Sequence, residues 1–252
     1  MSSFVIKIIA VITMLIDHSC DVIIKHYSMG YVIGRIAFPL FAFQLVIGYR
    51  NTNDIKKYLK RLLIFALISQ LPYGLMFYNY VHKIDINIFF TLFFALLSLI
   101  ILHSKKINLG NKYLTWIFKI LLIAVICVLC EVLNFDHGYG GILTVLCIDL
   151  FYPYNLKKDE FISSKNKMER GKKALQVLLF IVVMTALSII RFARYIQMLG
   201  ITNFVLLITS TFISTIIMLC YNGKKGKSFQ YFFYAFYPIH LIILNVIYYL
   251  IW

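Results

Sequence analysis

An all-α, polytopic membrane helix bundle with about nine transmembrane helices is the fold class this sequence predicts, and three observations predict it. The chain of 252 residues is 62% hydrophobic with a mean hydropathy of +0.85, more apolar surface than one water-soluble core of this size can hide. Its apolar residues fall in runs close to the roughly 20 residues that a helix needs to cross about 30 Å of hydrocarbon. Short polar connections separate the runs, and their charge alternates. The predicted spans are 4–23, 31–49, 59–78, 87–103, 114–132, 140–154, 174–190, 203–221 and 230–251, read as a single integral membrane domain over 1–252.

The first span carries KIIAVITMLIDHSCD, residues 7–21. An ionised Asp near the middle of a spanning helix costs roughly 2.5 to 3.5 kcal/mol on insertion scales, so such residues face a bundle interior and mark a functional site. Ala10, Thr13, Asp17 and Asp21 fall on one helical face, whereas His18 projects about 100° away from Asp17. An Asp-His pair near a helix end that only snorkels or glues helices is the competing structural explanation. No basic leader precedes this run, which is expected to stay in place as a span rather than to be cleaved.

The second span contains Gly34, Arg35, Pro39 and Gly48, a composition that permits close approach and a kink. Arg35 is the expected partner of Asp17 or Asp21. In the third span stand Gln70 and Pro72. The fourth opens NIFFT and puts Asn87, Thr91, Ala95 and Ser98 on one face, a small polar stripe that suits either helix packing or a ligand. Span five ends at Glu131 and leads into NFDHGYGG, an acidic, glycine-rich connection holding Asp136 and Tyr139. Residues 155–173 show no apolar periodicity and are expected to form a flexible basic cytoplasmic loop. The last span places His240 about 10 residues in, with Tyr237 at helical contact spacing.

The formal charge of +15 does not point to nucleic acid here, because the basic residues sit in short loops where they set orientation. The loops after spans two, four, six and eight carry 18 Lys and Arg, against Lys25, Lys83, Arg191 and Arg194 on the other side. The N-terminus is therefore expected in the cytoplasm. Five cysteines lie in or beside spans; Cys127 and Cys130 have redox-motif spacing but no basic neighbour to activate a thiolate. The six histidines are scattered with no i, i+4 pair, so no metal site is expected.

The blocks IKIIAVITMLIDH, GRIAFPLFAFQLVIGYRNT, YLKRLLIFALISQLPY, NIFFTL, GYGGILTVL and YNGKKGKSFQYFFYAFYPIHL occur in order and resemble the TraX family, membrane proteins associated with N-terminal acetylation of conjugative pilin. More distantly, a histidine on the first helix is similar to membrane acyltransferases that use cytoplasmic acyl-coenzyme A. The resemblance implies a bacterial inner-membrane enzyme, acetyl-CoA as the donor, and a peptide or glycan acceptor with an amine or hydroxyl.

On that implication His18 is the expected general base, since neutral imidazole takes a proton near physiological pH. Asp17 or Asp21 would orient it, Arg35 or Asn87 would stabilise an oxyanion, and His240 with Tyr237 forms a reserve acid-base pair. Thr91, Glu131, Asp136 and Tyr139 are expected around the substrate. Arg50, Lys57, Arg61 and Lys172 are expected to attract the phosphates of the donor. The rival class is a proton-coupled small-molecule transporter, in which buried Asp, Glu and His form relays and interrupted helices bind substrate. A purely structural assembly protein is the third.

Overall fold

Ten α-helices and one π-helical turn make up the described part of the structure, a computed structural model that describes residues 1–24, 29–81, 85–154, 167–193 and 196–251. The helices are α1 (Ser3–Ser19), α2 (Met29–Gly34), α3 (Ala37–Asn51), α4 (Ile55–Val81), α5 (Ile88–His103), α6 (Lys112–Val132), α7 (Gly138–Phe151), α8 (Lys167–Ala193), α9 (Ile196–Leu219) and α10 (Gln230–Ile251), with the π turn over Cys20–Ile24. They follow the nine predicted spans, with α1 and its π turn forming the first and α2 and α3 sharing the second. Among the described residues six helical stretches are long and apolar enough to cross a membrane, one of them running from α2 through α3, while α5 and α7 are shorter apolar helices. This is an all-α, multi-pass architecture.

The helix starts follow from local chemistry. Ser2 caps α1, Asn87 caps α5 and Asn111 caps α6, each side chain accepting from a first-turn N–H. Asp54 does the same for α4 through Lys57 N at 2.9 Å. Each cap satisfies donors that the helix itself leaves open. Between α2 and α3 the chain turns at Arg35 and Ile36, and Pro39 sits in the first turn of α3, where its missing N–H costs nothing.

The chain packs as two compact units, Met1–Gln44 with Cys147–Phe233, and Leu45–Leu146 with Tyr234–Trp252. In the first unit α1 lies on α2, and α9 packs on α8 and α2. The face of α9 that makes this possible is small and polar: Ser210, Thr211, Ser214 and Thr215 are buried between Leu207 and Met218, and small residues let helices approach closely in lipid. Ser188 of α8 donates to the Thr211 hydroxyl at 3.0 Å. At one end, Ser3 N and Phe4 N donate to Lys224 O and Lys225 O, and Asn222 N donates to Met1 O. The N-terminus and the connection after α9 therefore share one side.

In the second unit α5 packs between α4 and α6. Its buried face is the stripe Asn87, Thr91, Ala95 and Ser98, each 0% exposed, as the spacing predicts. Tyr49 stacks on His103 at 6.0 Å, so the ends of α3 and α5 also share a side. Lys119 of α6 is buried, and its Nζ donates to Leu102 O (3.1 Å) and Ser104 O (2.7 Å). A cation there closes carbonyls that the C-terminus of α5 leaves open. The rest of α6 exposes Ile117, Leu121, Val125 and Val128, an apolar surface suited to lipid rather than water.

One predicted boundary moves. Residues 155–166 of the expected basic loop lie outside the described residues, and the last part, from Lys167, is already the first turns of α8.

Candidate functional site

The first unit brings Asp17 and the Arg35 turn together. A Cβ placed on Gly34 would fall 2.2 Å from both Cβ and Cγ of Asp17, so α1 and α2 touch where only a hydrogen separates backbone from carboxylate-bearing side chain. Both helices leave α geometry at this point. α1 passes into the π turn three residues after Asp17, and π turns are frequent at functional sites. α2 ends at Gly34, and Ile36 N reaches back only to Ile33 O. The Val32 carbonyl, deprived of its usual donor, accepts from Ser210 Oγ of α9 at 2.7 Å. Asp17, His18 and Arg35 are all half-buried. The side chain of Asp21 lies outside the described residues.

The second unit assembles the other group. α5 and α7, of 16 and 14 residues, are too short to cross alone, and the non-helical backbone before each forms a bridge between Ile86 and Phe135. Ile86 N donates to Asn134 O and Asp136 N to Ile86 O. Asn87 then donates to Ala66 O and Gln70 Oε1, both at 2.8 Å. Those α4 residues lie about 16 to 23 Å from the start of their helix at 1.5 Å per residue, so the bridge stands beside the middle of α4. Irregular backbone at that level needs to be buried in protein or to line a cavity. Thr91 Oγ1 donates to Asp136 O and ties the two connections together.

Onto this bridge packs α10. Tyr237 meets Phe89 edge-on at 5.2 Å and His240 at 5.5 Å, and both Tyr237 and His240 are 4% exposed. His240 Nδ1 is 2.9 Å from Phe236 O. A carbonyl only accepts, so Nδ1 carries the hydrogen and the basic lone pair of neutral His240 is on Nε2.

Around the bridge the backbone is strained, since Asn134 (φ 52°) and His137 (φ 65°) are left-handed without being glycine. Gly138 (φ 45°) opens α7 with Glu131 Oε2 lying 2.5 Å from where its Cβ would be, and a carboxylate suits a helix N-terminus. Glu131 is exposed and Tyr139 half-buried.

Arg50 and Lys57 are exposed beside the α3–α4 connection, Arg61 lies over the Tyr58 ring at 5.7 Å, and Lys172 is exposed on α8 in the other unit. Several buried polar residues carried no sequence signal of their own. Asn245 is a single polar position in an apolar run, Ser69 stands directly before Gln70, and Asp149 of α7 is only 2% exposed.

A family model described as TraX protein matches residues 2–248. A Dichelobacter nodosus protein named "Probable fimbrial assembly protein FimC, serogroup H1" is 26% identical over 257 residues, covering 96% of this chain and 94% of that protein. No solved structure matches.

Proposed function

Because the chain belongs to the TraX family, we propose that it is a pilin-related membrane acetyltransferase, taking acetyl groups from cytoplasmic acetyl-CoA to an amine or hydroxyl on an extracytoplasmic or membrane acceptor such as a pilin-like peptide N-terminus. The family and the fimbrial assembly name of the relative support the pilin link. The charge asymmetry of the loops supports a bacterial cytoplasmic-membrane protein with its N-terminus inside.

The observation that carries the chemistry is the Asp17–Gly34 contact. It holds an ionisable side chain, with His18 next to it and Arg35 following Gly34, at the point where two apolar helices both depart from α geometry. In this reading His18 accepts the proton as the acceptor nitrogen or oxygen attacks the thioester carbonyl. The new C–N or C–O bond forms, the oxyanion is stabilised by Arg35, and the C–S bond breaks as His18 returns the proton to the leaving thiolate. Asp17 offsets the imidazolium. His240, backed by Tyr237, is the alternative base.

The test is transfer of labelled acetyl from acetyl-CoA by purified protein in the presence of membrane extract. His18→Ala is expected to abolish label on the acceptor while the protein still inserts. Full activity in His18→Ala with loss in His240→Ala moves the base to α10, and activity in both removes the mechanism.

A second reading rests on the bridge between the short helices α5 and α7. Helix N-termini that meet at such a point bind substrate in transporters. Flux into vesicles without any acylation would favour it.

A further inference from the structure

Hydroxyls on apolar helices ordinarily donate to the carbonyl one turn back. Thr13, Ser98, Thr144, Thr185, Ser210 and Thr215 all do so. Ser69 of α4 does not. It is 0% exposed, and its Oγ has no hydrogen-bond partner among the described residues. Asn245 of α10 is 8% exposed and spends both Nδ2 hydrogens, on Pro72 O (2.9 Å) and Leu241 O (3.0 Å). Those two carbonyls fix which way the amide faces. Its Oδ1 is left buried and without a donor among the described residues.

The two atoms lie on one contact. Phe65 stacks on Tyr234 at 5.0 Å, and further along the same helix pair Asn245 bonds Pro72. Ser69 lies on the α4 face between Phe65 and Pro72, one turn before the Pro72 carbonyl that Asn245 reaches. Buried hydrogen-bonding atoms are nearly always satisfied, and two unsatisfied atoms on one helix contact call for an occupant.

We propose that Ser69 and Asn245 form a buried ligand subsite on the α4–α10 contact that takes the N–H end of a bound molecule. Asn245 Oδ1 can only accept, so the occupant must offer hydrogens. Ser69 Oγ accepts a second hydrogen or donates to a neighbouring carbonyl. A carboxylate or phosphate facing Oδ1 is repelled. Within acetyl transfer, N–H groups of this kind come from two sources, the amides of a pantetheine arm or the amine of an acceptor. The inference rests on the proposed reaction for those two sources, but the subsite itself rests on Ser69 and Asn245 alone.

The experiment uses the full chain purified in detergent, with Ser69→Ala, Ser69→Thr and Asn245→Leu. Ser69→Ala removes one unsatisfied hydroxyl, so the thermal midpoint of the unliganded protein is expected to hold or rise. A hydroxyl that serves only the fold would lower it. In the transfer reaction Ser69→Ala and Asn245→Leu are expected to raise a KM about tenfold, the size of one lost hydrogen bond, and Ser69→Thr to restore it.

A change in the KM for a peptide with a free N-terminus assigns the subsite to the acceptor, and a change in the KM for acetyl-CoA assigns it to the donor arm. If the wild type transfers acetyl and neither KM moves, the subsite is overturned, a buried water is its occupant, and the transferase reading stands. If the wild type transfers nothing, that reading fails, and the subsite is read by thermal stabilisation with pantetheine and with the peptide. Stabilisation lost in Ser69→Ala supports it, and no stabilisation of the wild type overturns it.

Discussion

Gly34 and Asp17 are in direct contact across α1 and α2, with no room for a methyl group between them: an added Cβ would sit 2.2 Å from two carbons of Asp17. Those carbons lie next to the α1 backbone and cannot swing aside. Gly34→Ala is therefore expected to part the helices or displace Asp17, at a cost of about 1–3 kcal/mol typical of overpacking. Thermal unfolding in detergent measures it, and acetyl transfer should fall with it. Gly74 is the control. It lies inside α4 with nothing within 4 Å of an added Cβ, and Gly74→Ala should gain about 0.5–1 kcal/mol from lost unfolded-state freedom.

Lys119→Met should destabilise the second unit while keeping the volume of the side chain. The substitution removes donations to Leu102 O and Ser104 O and leaves the C-terminus of α5 uncapped. A loss of about 1.5–3 kcal/mol, the range for hydrogen bonds from a charged group, is expected in thermal melts. An unchanged midpoint would mean that water caps those carbonyls equally well.

Asn87 performs two tasks that substitution separates. Its Oδ1 caps α5 through Phe89 N at 3.0 Å, and its Nδ2 ties α5 to Ala66 O and Gln70 Oε1 of α4. Asn87→Ser keeps a cap and loses the cross-helix bonds, whereas Asn87→Ala loses both. The alanine variant should be the less stable by about 1 kcal/mol, the usual worth of an N-cap. Equal midpoints would show that the cap is idle and only the ties matter.

His137→Gly relieves a left-handed residue beside the bridge. Removing the Cβ penalty of about 1–2 kcal/mol offsets the entropy that glycine adds, so stability should hold. If the strain positions Asp136, which hydrogen-bonds through its backbone to Ile86 and Thr91, acetyl transfer should drop without a matching fall in midpoint. A variant with full activity would make the strain incidental to function.

Much of the α5 face was readable from spacing, because a period of 3.6 residues sorts Asn87, Thr91, Ala95 and Ser98 to one side whatever they touch. The Tyr237–His240 contact was readable for the same reason. Ser69 and Asn245 were not, since a small polar residue on an apolar helix looks alike whether it bonds its own helix or faces a ligand. Lys119 is a charge within an apolar run, and only the fold brings it beside the end of α5. Arg50 and Lys57 are exposed and Arg61 is half-buried over the Tyr58 ring, a difference their shared basic stretch of sequence does not show.

By itself the sequence determined that the chain is a helical multi-pass membrane protein, where its helices run, and which family it joins, because hydropathy, caps and ordered motifs are local properties of the chain. The tertiary structure alone decided that Asp17 meets Gly34, that two short helices start from a bridge beside the middle of α4, and that Asn245 of α10 bonds Pro72 of α4. Those relationships depend on which helix lies against which and in what register. Apolar surfaces that merely match lipid do not encode that choice, which is made by close-packed small residues and buried hydrogen bonds between distant parts of the chain.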